Sequence, residues 1–355
     1  MDARIRVVPA ADGGNPRMEH DITRRENDFY IFPFSEDGDQ NYHFHLMVQV
    51  ENDADEILPV RFTVNWGDEE YQSDRDYFLL CTGDHSWTRI PARVEGPESA
   101  GTASVPPGVS HLTFHPRYAL ERFERLVERL PAGVFHVEKI GETRMRRDIL
   151  ALEAGNRSKK PIAFDSRVHP YESISSYMLE GMIEWLGGGG EEAGKLLAEH
   201  FVLFIPMPNP DGVADGMNKL THGGLNFEGN FRQSLEPEAL AMKKYLLERA
   251  PSVLYDIHGW CNPRDNIWTN DSRIGKEVYR AILADEELFC KPVEILYRTY
   301  PWGTANHSCA YFSEKLGCSF LCSSFDHRGR TSKEIYAMGV ALLKATAAAA
   351  RNTYI

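Results

Sequence analysis

The pattern of hydrophobic and polar residues divides the chain into two parts. Residues 1 to about 115 contain short runs rich in β-branched and aromatic residues, with turn-forming residues between several of them. Six or seven such runs, without a convincing helical period, predict a small all-β sandwich. The runs are 4–8, 29–34, 43–50, 60–65, 77–81, 87–94 and 109–114.

From about residue 116 the pattern changes. An amphipathic helix is predicted over 118–130 and a hairpin over 137–153, and after these apolar strands alternate with helices. Such alternation is typical of a mostly parallel sheet covered by helices on both faces. The predicted strands are 161–167, 201–206, 252–258, 293–297 and 318–323, and the predicted helices are 174–186, 191–199, 236–250, 274–288, 308–316 and 332–349.

The predicted fold class is therefore α/β. A three-layer α/β/α domain with a mostly parallel mixed sheet is expected over residues 116–355, preceded by an all-β sandwich domain over residues 1–115.

Side chains that bind metals follow two of the predicted strands. His169 and Glu172 come directly after the strand 161–167, and His258 ends the strand 252–258. Because the carboxyl ends of parallel strands meet at one edge of a sheet, we expect these three side chains to converge. Two histidines and one glutamate that leave one position open are the arrangement of a catalytic zinc. The sequence therefore predicts a Zn²⁺ site that activates water.

Each part of this set is common on its own. A His-x-x-Glu spacing arises often by chance, and a histidine at a strand end is more often a surface or core residue than a ligand. Their joint placement favours the metal site. Asp256 lies two residues before His258 on the same strand face, so it is a predicted hydrogen-bond acceptor for an imidazole.

Charge and composition exclude several other classes of protein. A formal net charge of −13 argues against a general nucleic-acid or anionic-membrane binder, since both need a basic surface. The six cysteines have no framework spacing, so a disulfide scaffold is not expected. No segment resembles a signal peptide or a membrane span, and a reduced, cytoplasmic protein is the expectation.

Four motifs, in this order, resemble those of a known family: HPYES, PMPNPDGV, GLNF and DIHGW. They are similar to motifs of the zinc carboxypeptidases, and most similar to those of the cytosolic carboxypeptidase branch, over roughly residues 115–350. The resemblance implies zinc on His169, Glu172 and His258, and hydrolysis of a C-terminal amino acid from a peptide or protein. It also fits the β-rich N-terminal region, because the cytosolic branch places a β-sandwich before its catalytic domain.

The substrate-binding residues implied by the resemblance are only partly present. The family's Asn-Arg pair corresponds to Asn226 and Phe227, and a second family arginine falls on or near Lys219. Phenylalanine has no donor for a substrate carboxylate, and lysine lacks the bidentate fork of arginine. Tyr300 or Tyr311 is a candidate for the family's mobile tyrosine. The arginines that could substitute are Arg232, Arg298, Arg328 and Arg330.

The general base of the family is also replaced. The family's glutamate falls on Cys322 or Ser323, and neither is a carboxylate. Asp326 and His327 are the candidate catalytic substitutes, and the alternative is that both anchor the loop before the last helix. A nucleophilic role for Cys322 is disfavoured, because a buried thiol behaves as a small hydrophobe.

Three functions remain open from the sequence. The first is a zinc-dependent hydrolase that cleaves a C-terminal amino acid or a related amide. The second is a zinc-binding recognition protein that has lost catalysis, and the third is an amidase or deacylase for a small molecule. The predicted partners are a peptide, a protein C-terminus or a small amide, without nucleic acid or membrane, and the oligomeric state is open.

Overall fold

The computed structural model describes residues 4–25, 28–36, 43–67, 75–259, 266–270, 273–289, 296–299 and 306–351. The chain forms two compact units: Met1–Arg122 with Gly212–Leu220, and Phe123–Asp211 with Thr221–Ile355. The predicted domain boundary between residues 115 and 116 stays a prediction.

The first unit is built from β-strands. Within its described residues, nine strands form one sheet in the order β1-β4-β9-β6-β7-β8-β5-β3-β2, with β3 and β5 parallel and the other neighbours antiparallel. The strands are β1 (Ile5–Pro9), β2 (Ile22–Arg25), β3 (Asp28–Ile31), β4 (Met47–Asn52), β5 (Leu58–Asn65), β6 (Tyr77–Gly83), β7 (Ser86–Glu95), β8 (Glu98–Val105) and β9 (Gly108–Thr113).

Strand β7 connects the two halves of this sheet. Its first part pairs with β6 up to Pro91, and its last part, from Ala92, pairs with β8. Trp66, after β5, and Phe114, after β9, come from opposite halves and meet edge to face with ring centroids 5.2 Å apart. The two halves therefore enclose a common core, as in a sandwich.

The segment Gly212–Leu220 completes the first unit. Gly13 donates its backbone N–H to Ala214 at 2.8 Å, and the Asn218 side chain accepts backbone N–H groups from Phe44 and His45, both at 2.8 Å. These hydrogen bonds explain why a segment distant in sequence belongs to this unit.

The second unit contains a mixed sheet of eight strands in its described residues, in the order β10-β11-β13-β12-β14-β17-β15-β16. The central strands β13, β12, β14 and β17 are parallel, whereas β10, β11 and β15 run antiparallel to a neighbour. The strands are β10 (Phe135–Glu142), β11 (Asp148–Gly155), β12 (Pro161–Ser166), β13 (Phe201–Ile205), β14 (Val253–His258), β15 (Asn266–Thr269), β16 (Leu296–Thr299) and β17 (Ser319–Ser324).

Helices cover both faces of this sheet. The α-helices in the described residues of the whole chain, of which α1 and α4 belong partly to the first unit, are α1 (Leu120–Glu128), α2 (Ser173–Gly187), α3 (Glu191–Glu199), α4 (Pro210–Ala214), α5 (Pro237–Arg249), α6 (Arg273–Ala284), α7 (Glu286–Phe289), α8 (Ser308–Leu316) and α9 (Ser332–Arg351). Helices α2 and α9 pack against each other and against β12, while α5 and α8 share an apolar cluster with Ala163, Leu203 and Leu254 on the opposite face. The predicted α/β fold class, with a β-rich region before a three-layer domain, is confirmed.

Individual elements depart from the prediction where the apolar signal is weak. Strand β8 was not predicted, because its residues are mainly alanine, serine, glycine and threonine, yet alternate residues are buried. Strands β2 and β15 were also missed. The predicted helix 274–288 is two helices, α6 and α7. The described part of the predicted strand 293–297 belongs to β16, and its residues 293–295 lie outside the described residues.

Helices α2 and α9 cross closely at two glycines. A Cβ atom added to Gly339 would lie 2.0 Å from the Met178 carbonyl oxygen, and one added to Gly181 would lie 2.7 Å from the Tyr336 carbonyl oxygen. Because these neighbours are backbone atoms, a side chain at either glycine separates the helices.

We predict that Gly339→Ala destabilises the protein by about 1–3 kcal/mol, although alanine favours helix by up to about 1 kcal/mol. Thermal unfolding measures the effect. Gly194→Ala in α3 is the matched control, since nothing lies within 4 Å of its added Cβ atom. Equal unfolding temperatures for the Gly339 variant and the control would contradict the close crossing.

A second prediction concerns pH. Burial, with smaller contributions from Asp211 and Glu236, raises the pKa of Glu238 from 4.5 to about 7. The unfolded chain therefore releases this proton at lower pH than the folded chain, so stability falls as pH rises from about 4.5 to 7, by up to roughly 3 kcal/mol. Glu238→Gln removes this loss and raises the unfolding temperature above pH 7 relative to wild type. The exposed Glu248→Gln, on the same helix, serves as the control.

Candidate metal centre

The loop after β12 has an unusual backbone that directs two side chains inward. Arg167 has a φ of 56°, in the left-handed region that a non-glycine residue rarely adopts. Its buried guanidinium donates to the Pro170 carbonyl oxygen at 3.0 Å and to the Ser176 hydroxyl at 3.0 Å. These hydrogen bonds tie the loop to the first turn of α2 and hold His169 and Glu172 between them.

The structure brings the three predicted metal ligands together. The Nδ1 atom of His169 lies 2.9 Å from Glu172 Oε1, and the Nδ1 atom of His258 lies 2.7 Å from Glu172 Oε2. All three side chains are fully buried. The end of β14 is close because β12 and β14 are parallel neighbours, with Asp165 opposite Asp256.

Gly259 makes this approach possible. Its backbone N–H donates to Glu172 Oε2 at 3.2 Å, and a Cβ atom there would lie 2.0 Å from Ile174 Cγ2. The absence of a side chain therefore lets the end of β14 pass against α2.

The electrostatics of the centre favour a cation. Burial acts to raise the pKa of Glu172, but the charges and hydrogen bonds of the two imidazoles lower it well below its usual value. Burial acts to lower the pKa of His258, yet Asp256 and Glu172 raise it well above the usual value. An anionic carboxylate is thus held beside two imidazoles in a dry interior.

The residues present fit a zinc ion. Two imidazole nitrogens and a carboxylate are borderline and hard donors of the kind that Zn²⁺ takes at catalytic sites. Both imidazoles lie within hydrogen-bonding distance of the Glu172 carboxylate, and all three side chains are excluded from solvent. His169, Glu172 and His258 would hold the ion.

A second layer of polar groups lies behind His258. The Asp256 carboxylate lies 3.0 Å from His258 Nε2 and accepts a hydrogen bond from the Cys309 thiol at 3.2 Å. Such a carboxylate fixes the tautomer and the orientation of a ligating imidazole. Asp165 faces Asp256, and burial together with the Asp256 charge raises the pKa of Asp165 well above its usual value.

The structure adds a carboxylate that the sequence did not single out. Glu228 Oε2 lies 3.8 Å from His169 Nε2, and Glu228 Oε1 lies 3.8 Å from His307 Nε2. Its ligand-type oxygen is within 4.8 Å of both His169 and His258. The only sequence signal was its position directly after Phe227, in the motif that departs from the family.

The two predicted catalytic residues lie in the loop after β17. Asp326 accepts hydrogen bonds from the Arg328 backbone N–H at 2.9 Å and from Arg328 Nε at 2.6 Å, one on each oxygen. The Asp326 backbone carbonyl accepts from Arg330, and His327 Nδ1 lies 3.7 Å from Asp326 Oδ1. Catalytic roles for Asp326 and His327 stay predictions.

Of the predicted substrate-binding residues, the structure describes Lys219 and Asn226. Lys219 belongs to the first unit, where its ammonium lies 5.8 Å from the Phe44 ring centroid. Asn226 accepts the backbone N–H of Glu228 at 3.0 Å and so shapes the turn that presents Glu228. Tyr300 lies outside the described residues. Their roles in substrate binding stay predictions.

The residues at the positions where the resemblance implies an arginine and a glutamate are buried: Phe227, and Cys322 or Ser323. Phe227 is fully buried, with its ring 5.6 Å from that of Phe231. Burial raises the pKa of Cys322 to about 12, so it is a neutral thiol near pH 7. Of the substitute arginines, Arg232 pairs with Glu314 at 2.6 Å.

Comparison with known proteins gives consistent results at three levels. Residues 120–235 match the zinc carboxypeptidase family. Cytosolic carboxypeptidase 4 of Mus musculus is 33% identical over 176 residues, which cover 43% of this chain and 15% of that protein. Cytosolic carboxypeptidase 6 of Caenorhabditis elegans is 32% identical over 139 residues, 35% of this chain and 30% of that protein. The matches thus span less than a third of these relatives' length.

Solved structures share the fold over nearly the whole chain. A metallo-carboxypeptidase from Burkholderia cenocepacia superposes with a TM-score of 0.82 at 18% identity, covering 98% of this chain and 100% of that one. A metallo-carboxypeptidase from Pseudomonas aeruginosa, in complex with (2-guanidinoethylmercapto)succinic acid, gives 0.80 at 18% identity, covering 98% and 99%. None of the described helices is long and apolar enough to cross a membrane. The matched segment, the curated relatives and the shared fold confirm that this chain resembles the zinc carboxypeptidases, and among them the cytosolic branch.

Proposed function

We propose that this protein is a zinc-dependent hydrolase of the carboxypeptidase type, which removes a C-terminal amino acid, or cleaves a related amide, from a peptide or protein. The observation that carries the proposal is the meeting of His169, Glu172 and His258, in which both imidazole Nδ1 atoms face one buried carboxylate. The names of the curated relatives support a cytoplasmic location as part of the same proposal.

Zn²⁺ bound by these three residues would activate a water molecule and polarise the scissile carbonyl group. The chain's own contribution is to fix the ligands. The Gly259 backbone N–H donates to Glu172 Oε2, and Asp256 orients the His258 ring. The site excludes water from the ligand side chains, which strengthens every charge interaction there.

Proton transfer from the attacking water is assigned, within the proposal, to Asp326 or His327. His327 is the better candidate of the two, because Arg328 already hydrogen-bonds to both oxygens of Asp326. A general base typically contributes about 10²–10⁴-fold to the rate, so turnover without the family's glutamate is expected to be slow.

A second candidate function is zinc-dependent recognition without catalysis. The observation in its favour is the burial of Phe227, and of Cys322 or Ser323, at the positions where the resemblance implies an arginine and a glutamate. None of these side chains offers an ionised group to a substrate at neutral pH. Metal binding is common to both candidates, and peptide cleavage separates them.

The metal content of the protein tests the proposed function first. The isolated protein should contain close to one zinc ion per chain, and His169→Ala and His258→Ala should each lose most of it, because two ligands cannot hold the ion tightly. Elemental analysis measures the content. His20→Ala is the control, since the His20 side chain is 75% exposed in the other unit. If the wild-type protein retains no zinc after it has been purified and reloaded with zinc, the proposal is wrong.

Peptide cleavage is the next test of the proposed function. Incubation with a mixture of peptides that differ at the C-terminus should release single C-terminal amino acids, detected by mass spectrometry, and His258→Ala should release none. C-terminally amidated copies of the same peptides test how strongly the free carboxylate matters. Because Phe227 offers no donor to a carboxylate, we expect amidation to lower the cleavage rate less than it would at a site that binds the carboxylate through arginine. Zinc binding without release of any amino acid would favour the recognition function.

A further inference from the structure

The first turn of α8 contacts the groups behind both imidazoles of the metal centre. His307 is the N-cap residue of this helix, and its Nδ1 accepts the backbone N–H of Cys309 at 3.3 Å. Because Nδ1 is an acceptor, the hydrogen of a neutral His307 ring is on Nε2. That Nε2 atom lies 3.8 Å from Glu228 Oε1.

Glu228 in turn faces His169. If His169 Nδ1 serves as a metal ligand, its Nε2 carries the hydrogen, and a buried N–H needs an acceptor. In the described part of the chain, His169 Nε2 has no hydrogen-bond partner, and Glu228 Oε2 lies 3.8 Å away. Each oxygen of one carboxylate is thus 3.8 Å from one imidazole Nε2, an electrostatic contact that is longer than a direct hydrogen bond.

The backbone holds this arrangement in place. The Ser308 N–H donates to the Phe227 carbonyl oxygen at 3.0 Å, and the Arg232 N–H donates to the Asn306 carbonyl oxygen at 3.1 Å. The turn that carries Glu228 is therefore attached to the start of α8, and Glu228 is only 16% exposed.

The same turn of α8 reaches the other imidazole. The Cys309 thiol donates to Asp256 Oδ2 at 3.2 Å, and Asp256 Oδ2 lies 3.0 Å from His258 Nε2. Together these contacts form a closed ring of seven residues, in which the Cys309 backbone N–H makes the link to His307 and Glu228 makes its two links at 3.8 Å: Glu172, His169, Glu228, His307, Cys309, Asp256 and His258.

We propose that His307 and Cys309 are positioning residues for the metal centre: His307 fixes His169 through Glu228, and Cys309 fixes His258 through Asp256. The inference rests on the metal site of the proposed function, but not on the reaction. It explains why a histidine, a thiol and a carboxylate are buried beside the ligands in an otherwise apolar layer.

Zinc affinity, measured by competition with a chromophoric chelator, tests the inference. His307→Asn keeps an N-cap acceptor for α8 but removes the imidazole Nε2 that faces Glu228, so the unfolding temperature should change little while zinc affinity falls about 10–100-fold. Cys309→Ala should weaken zinc by a similar factor. Cys309→Ser, which retains a donor for Asp256, should stay close to wild type.

Cys318→Ala is the control for loss of a buried thiol, because Cys318 contacts the Phe312 carbonyl oxygen and lies outside the ring. Wild-type zinc affinity in His307→Asn and Cys309→Ala overturns the inference, and so does equal weakening by the alanine and serine variants of Cys309. Zinc affinities in the expected order, without cleavage of any peptide, contradict the proposed hydrolase and support the positioning roles.

Discussion

The candidate metal centre of the second unit depends on the contact of the Glu172 carboxylate with the imidazoles on either side of it. A buried carboxylate remains ionised only when hydrogen bonds and nearby positive charge replace its hydration. Here the replacement comes from His169 in the same loop and from His258 and Gly259 at the end of another strand. The imidazoles that stabilise the buried anion are therefore also, together with that anion, the ligand types that a divalent cation needs.

Sheet topology makes that meeting possible. Strands β12 and β14 are parallel and adjacent, and their register places Ser166 opposite Ile257. Both strands consequently end at the same edge of the sheet, and the loops that follow them turn toward each other. The left-handed backbone at Arg167 and the missing side chain at Gly259 then allow the two loops to approach within hydrogen-bonding distance.

The sequence predicted the parts of this centre that leave a local signal. Apolar runs gave the strands, and a histidine or glutamate directly after such a run gave the three ligand candidates. Strand β8 left no signal, because small residues carry little hydrophobic pattern even when half of them are buried. Contacts between distant loops were also beyond reach: nothing local indicates that Glu228 lies between two imidazoles, or that Arg328 occupies both oxygens of Asp326.

The burial of Phe227 limits which side chains this position can hold. Its ring packs in the same apolar cluster as Phe231 and Phe312, so an arginine placed there now would enter a dry interior without a partner. The position therefore selects an apolar ring, and any charged contact with a substrate has to come from side chains outside this cluster.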